Sequence, residues 1–156
     1  MPFRYRLQKV LDFRIRKKEE QQQAVQRAKD EVLRRQALVD KNKEEIKSVI
    51  HSMRTNADYR MMDIYDRYLK NLYEKEVQLL EDKKEAEAVL KQEEEKLIEC
   101  EKEVKVLEKH KDMCKEAWKE EEKALENKQM SEIAVQKYFE RQRKEREERE
   151  LNHEED

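Results

Sequence analysis

The side chains that could do chemistry are few. His51, His110 and His153 are the only imidazoles and Cys100 and Cys114 the only thiols. One pair, His110 and Cys114, has the i, i+4 spacing that sets both groups on one helical face, as a zinc site would use. No second pair lies near it in sequence. The histidines are too scattered to suggest a base beside a nucleophile. There is no glycine, so neither a phosphate-cradling loop nor a nucleophile elbow has the close backbone approach it needs. Cys100 and Cys114 would stand ~21 Å apart on one helix at 1.5 Å per residue. They cannot pair within that helix and read as small apolar residues of a reducing cytoplasm. Lys/Glu pairs such as Glu81, Lys84 and Glu85 read as a solvated face. The sequence therefore implies no catalytic residue, no cofactor and no metal.

The same composition says what elements are available. Charged residues make up 49% of the chain, hydrophobic ones 36%, and the only proline is Pro2. That is the composition of a coiled coil or a long helix, with enough apolar surface for a seam between helices but not for a thick core. A net charge of −2, from 37 basic and 39 acidic residues, names no polyanionic partner. No apolar run reaches the ~18 residues of a membrane span, and the charged N-terminus is followed by no apolar signal-peptide core. Direct membrane insertion is not expected.

Leu11, Val25, Val32, Val39, Ile46 and Met53 keep one seven-residue register, with Lys18 as its polar interruption. Ala28 and Val49 join the companion position, which Arg35 and Asn42 weaken. This predicts a first helix over about 3–53. Residues 54–58 (Arg54, Thr55, Asn56, Ala57, Asp58) hold no seam residue. Asn56 or Asp58 could cap a new helix, and Asn tolerates the left-handed conformation. The turn is placed there, with a continuous helix as the competing reading. A second helix over about 59–145 follows a new register. Its seam runs through Tyr65, Leu69, Leu72, Leu79, Ala86, Leu90, Leu97, Cys100, Val104, Leu107, Cys114, Trp118, Leu125, Val135 and Phe139. Glu76, Lys83, Glu93, Lys111, Glu121, Lys128 and Glu132 interrupt it. A tail over 146–156 is expected to fray. A first helix of ~50 residues folding back would pair with the second as far as about residue 109, leaving 111–139 as an overhang. The expected fold is all-α, a single domain over 1–156: a long two-helix antiparallel coiled-coil hairpin with the second helix overhanging.

Two features stand above this pattern. Arg4, Arg6, Lys9, Arg14, Arg16, Lys17 and Lys18 against Asp12 give +6 over the first 18 residues, and cations at a helix N-terminus oppose its dipole. A partner with an acidic surface would account for them; an exposed basic face without consequence is the plainer reading. Nucleic acid fits poorly, because no stacking platform or base-reading motif accompanies the charge. Just past the turn, Tyr59, Tyr65, Tyr68 and Tyr73 cluster with Ile64, Leu69 and Leu72. They read either as a docking surface or as packing against the end of the first helix.

The opening Phe3-Arg4-Tyr5-Arg6-Leu7-Gln8-Lys9-Val10-Leu11-Asp12-Phe13-Arg14 resembles the start of the bacterial flagellar export protein family FliJ. The family typically begins aromatic-x-aromatic-x-Leu-Gln-x-Val/Leu-Leu-Asp-x-Arg. Leu107 to Ala134, with Trp118, the Glu120–Glu122 run and Ser131-Glu132-Ile133-Ala134, resembles the family's C-terminal half. The resemblance implies an antiparallel two-helix coiled coil similar to the central stalk of rotary ATP synthases. By the same resemblance it is a non-catalytic stalk of the type III export apparatus. It would sit in the hexameric export ATPase, promote its assembly and activity, contact the cytoplasmic domain of the export gate membrane protein, and handle export chaperones. Its location would be cytoplasmic, peripherally associated with the inner-membrane export apparatus. The implied ATPase-binding residues are Leu7, Leu11, Arg14, Arg16, Val135 and Phe139; the implied gate-binding residues are Tyr65, Tyr68, Leu72 and Tyr73. The alternatives are a generic homodimeric coiled-coil scaffold and the equivalent stalk of a virulence type III secretion system.

Overall fold

Two helices, α1 (Gln8–Thr55, 48 residues) and α2 (Tyr59–Glu154, 96 residues), make up nearly all of the computed structural model, which describes residues 1–56 and 58–155. No strand occurs among them, and two long helices packed on each other make the fold an all-α helical hairpin. The chain divides into two compact units. One is Lys9–Val106; the other joins Met1–Gln8 to Leu107–Asp156.

Within Lys9–Val106 the helices meet along the stripe that the heptads define. Leu11, Val25, Ala28, Val39, Asn42 and Ile46 are buried on α1, and Leu72, Ala86 and Val104 on α2. Lys18, Val32 and Arg35 are half-buried in the same register, as are Glu76, Lys83 and Glu93 on α2. The polar interruptions therefore sit in the seam rather than breaking it. Their long stems cover apolar surface while the charged heads reach out.

Cross-helix polar bonds show the antiparallel register. Arg14 pairs with Glu103, and Gln21 Nε2 donates to the Glu93 carbonyl at 2.9 Å. Arg35 Nη1 meets Asp82 at 3.4 Å, Asn42 Nδ2 donates to the Leu72 carbonyl at 3.0 Å, and the Tyr68 hydroxyl donates to Glu45. As the partner advances along α1 it retreats along α2, close to one for one.

Asn42, expected to weaken the stripe, lies inside it. It is 1% exposed, and its Oδ1 has no hydrogen-bond partner. A buried amide with one donor used and its acceptor unmet costs stability but favours the alignment that supplies the bond.

The ends differ from the periodicity. α1 starts at Gln8, not near residue 3, with Gln8 N–H donating to the Tyr5 carbonyl at 3.2 Å. Phe3 and Tyr5 are two apart, a spacing that places both rings on one side of an extended segment but on different faces of a helix. Arg54 and Thr55, assigned to the turn, are helical. The Thr55 hydroxyl donates to the His51 carbonyl at 3.0 Å, and Asn56 N–H to the Ser52 carbonyl at 2.9 Å. Asp58 is the cap: its Oδ1 accepts from Arg60 N–H at 3.1 Å. No described residue has positive φ, so Asn56 does not use the left-handed conformation. Ala57 lies outside the described residues. The tail expected to fray is helical through Glu154, and Asp156 lies outside the described residues.

In the other unit, Leu107, Lys111, Cys114, Trp118 and Glu122 are half-buried on α2; from Lys123 to Glu155 every residue is exposed except half-buried Gln142. Leu125, Val135 and Phe139 continue the stripe uncovered, at 54%, 53% and 62% exposure.

Three outcomes follow. Leu72→Ala removes a fully packed seam side chain and should cost about 2 kcal/mol or more in urea unfolding, whereas exposed Leu33→Ala should stay within about 0.5 kcal/mol. Asn42→Leu should raise stability by about 1 kcal/mol, because the orphan acceptor disappears, while engineered cross-links between the helices report more than one register. On α1, hydrogen bonding from Arg34, and then Arg35, pulls the Glu31 carboxyl down from the ordinary 4.5 to about 2. A depressed carboxylate contributes stability that is fully present above pH 4.5 and is lost as pH falls toward 2. The melting temperature should fall across that window, and less steeply in Glu31→Gln.

Candidate functional site

Among the described residues no group of three or more His, Cys, Asp or Glu side chains could hold a metal. His110 and Cys114 do meet, with Sγ 3.7 Å from Nε2 and 3.9 Å from Nδ1. The surface concavities are open grooves along helix sides, such as the one between Lys17, Glu20 and Gln21 and Lys96, Glu99 and Cys100. What the fold does offer is helix surface whose apolar content exceeds what its own unit covers.

The first such surface opens α2. Leu72 is buried against α1, while Met61, Met62, Ile64, Tyr68, Tyr73, Val77 and Leu80 are exposed. At 100° per residue, Met62, Leu69, Tyr73 and Leu80 fall within about 40° of one another and about 80° from Leu72. The apolar face here is therefore wider than one α1 helix can cover. Asp66, Leu69, Lys70, Tyr73, Glu74 and Val77 line a shallow groove on it. Tyr65 is half-buried. Tyr68 donates to Glu45; that bond to a carboxylate, with burial behind it, raises the phenol above its ordinary 10.0. Of the four residues assigned to gate binding, Leu72 belongs to the seam and Tyr68 is tied to α1. Tyr73 is free on the surface, and Tyr65 lies between these extremes. Met62, Val77 and Leu80 escaped the sequence reading, although a stripe repeating at 62, 69, 73 and 80 beside the seam was visible in it.

The second surface belongs to the unit formed by Met1–Gln8 and Leu107–Asp156. Phe3 lies on Trp118 with ring centroids 5.9 Å apart. The buried Tyr5 ring lies 5.6 Å from that of His110. Its hydroxyl is 2.6 Å from His110 Nδ1 and donates toward the Leu107 carbonyl at 3.4 Å. Burial raises the Tyr5 phenol above 10.0, and nearby Cys114 adds to the shift. The N-terminal ammonium is 3.9 Å from Glu122. These aromatic contacts were not anticipated. The paired rings were legible only as an opening motif, since nothing in sequence spacing ties residues 3 and 5 to 118 and 110.

Past Glu122 the helix carries only its own support. Gln142 donates to the Tyr138 hydroxyl at 2.7 Å, the Tyr138 and Phe139 rings are 6.0 Å apart, and Arg143 meets Glu147 at 3.8 Å. Trp118, Leu125, Val135 and Phe139 span about 100° of its circumference.

The residues assigned to ATPase binding separate accordingly. Leu11 is 3% exposed and is a core residue. Arg14 is half-buried and engaged by Glu103, and Arg16 is exposed. In the other unit Leu7 is half-buried, while Val135 and Phe139 are fully available. Lys17 is exposed beside the Phe13 ring, its Nζ 5.0 Å from the centroid.

Among the described residues no helix is long and apolar enough to cross a membrane. Neither the curated proteins nor the solved structures contain a significant match to the chain. The family model described as flagellar FliJ protein matches residues 3–143, nearly the whole sequence. With that match over two long, mutually packed helices, the chain belongs to the flagellar FliJ family and has a role in flagellar type III protein export.

Proposed function

We propose that this chain is a non-catalytic stalk of the flagellar export apparatus that binds the hexameric export ATPase and promotes its assembly and activity. One observation carries the reading: α2 continues for more than thirty residues past its last half-buried seam position with its apolar stripe uncovered. Long helices in water owe most of their stability to tertiary packing, so a bare, striped helix is suited to receive a partner. Leu125, Val135 and Phe139 form that face, and exposed Arg16 offers a separate cationic contact. Arg14, held by Glu103, and Leu11, in the seam, act by keeping α1 in register. The surface where α2 opens, at Met62, Leu69, Tyr73 and Leu80, takes the cytoplasmic domain of the export gate, and α2 also offers exposed surface to export chaperones. The protein then works at the inner-membrane export apparatus without entering the bilayer.

Titrating the protein into the flagellar export ATPase of the same organism should drive hexamer formation and raise phosphate release. If neither changes at saturating protein, the stalk reading is wrong. Phe139→Ala should weaken ATPase binding about tenfold, equivalent to 1.4 kcal/mol, with helix content by circular dichroism unchanged. Reversing the charge at Arg16 should act mainly on the association rate and lose its effect at high salt. For the gate, Tyr73→Ala should weaken binding in calorimetric titrations at constant stability. Sedimentation of the free protein adds a separate check: a dimer whose assembly Phe139→Ala abolishes would favour a homodimeric scaffold.

A further inference from the structure

We propose that Met1–Leu7 is a removable strap that occupies the first part of α2's partner-binding stripe and is displaced when a partner helix takes that stripe. What displaces it rests on the stalk reading; the strap itself does not.

Burial of α2's stripe in this unit runs alongside the strap. Leu107, Cys114 and Trp118 are half-buried, Glu122 faces the N-terminal ammonium, and beyond it the same stripe lies bare. Tyr5 covers the stripe at Leu107 and His110, and Phe3 covers it at Trp118. Leu125, Val135 and Phe139 are the uncovered continuation. The strap thus stands where a second helix would lie if the stripe were occupied along its length.

Its attachment suits release. Residues 1–5 have no helical or strand structure, and Pro2 has no N–H to donate. Among the described contacts, the segment is held by the Phe3 and Tyr5 rings, the Tyr5 hydroxyl and a long terminal ion pair. Arg4 and Arg6 alternate with the two rings and are exposed. The face turned away from α2 is therefore cationic, and an acidic partner surface can draw the segment off as its helix arrives.

Because a binding-competent state populated only in part weakens apparent affinity in proportion, the strap tunes how readily the stripe is occupied. It also shields the chain's single tryptophan from water while the protein is alone.

That tryptophan is the probe. With 5-fluorotryptophan incorporated, the protein should give one 19F resonance well displaced from its position in urea. Phe3→Ala should move the resonance toward the urea position at unchanged helix content and melting temperature. Tyr5→Phe, which keeps the ring and removes only the hydroxyl, should give a smaller shift in the same direction. An unmoved resonance in Phe3→Ala, or a loss of helix content alongside the shift in both variants, overturns the strap. On titration with the export ATPase, the wild-type resonance should change as the complex forms, and Phe3→Ala should bind more tightly. Binding detected by sedimentation with an unchanged resonance, or equal affinity of the two proteins, overturns displacement and leaves the stalk reading intact. An ATPase that fails to bind wild-type protein overturns the stalk reading and its displacing partner, and the variant arm still decides the strap.

Discussion

Asn42 sits in the seam with its amide nitrogen on the Leu72 carbonyl and its oxygen unmet. Around it, two helices share a contact only about one side chain wide. Such a seam cannot resist sliding through shape alone, because a shift of seven residues would lay another apolar stripe against the first. Alignment comes from the positions that are not interchangeable. Asn42 on Leu72, Arg35 on Asp82, Gln21 on Glu93 and Arg14 on Glu103 would each lose a bond in a shifted register. The polar breaks in the heptad are thus where specificity resides, at a cost in stability that the apolar layers between them offset.

That economy also explains how binding surface arises without a pocket. A buried seam uses a limited arc of each helix, so apolar residues outside the arc remain on the surface. Where α2 begins, the apolar face is wider than the seam, and Met62, Tyr73 and Leu80 lie outside it. Where α2 leaves the last half-buried position, the stripe continues with nothing over it. Exposed apolar surface of this kind lowers solubility when alone and is retained where a partner covers it. The charged residues filling the rest of the circumference keep such a helix soluble meanwhile. The family match establishes a role in flagellar export, and these exposed apolar faces are the surfaces the chain brings to it.

Periodicity and capping chemistry, both local, were enough to read two helices, the face each turns inward and the break between them, whereas burial runs on to Glu122, past the residue 109 at which pairing was expected to end. Every seam position named on α2 from Tyr65 to Trp118 is at least half-buried, including Glu76, Lys83, Glu93 and Lys111, and every one beyond is exposed. Asp58 caps α2 as a short acidic side chain ahead of a helix should. The opening motif pointed to the family because its aromatic and Leu-Gln spacing is rarer than any Lys/Glu heptad.

Only the tertiary structure decided what depends on which residues meet across distance. Heptads repeat, so they allow many registers, and the packing selected one. Leu11 and Leu72 stand on the heptad stripes and also among the residues that the resemblance implies for partners; the packing commits both to the seam, because an apolar side chain on an amphipathic helix looks the same whether its neighbour is its own chain or another. Phe3 and Tyr5 left the expected helix because Trp118 and His110, more than a hundred residues away, received their rings. Local spacing prescribes a helix and its face; the identity of what covers that face is a long-range property, and it appears only when the chain has folded.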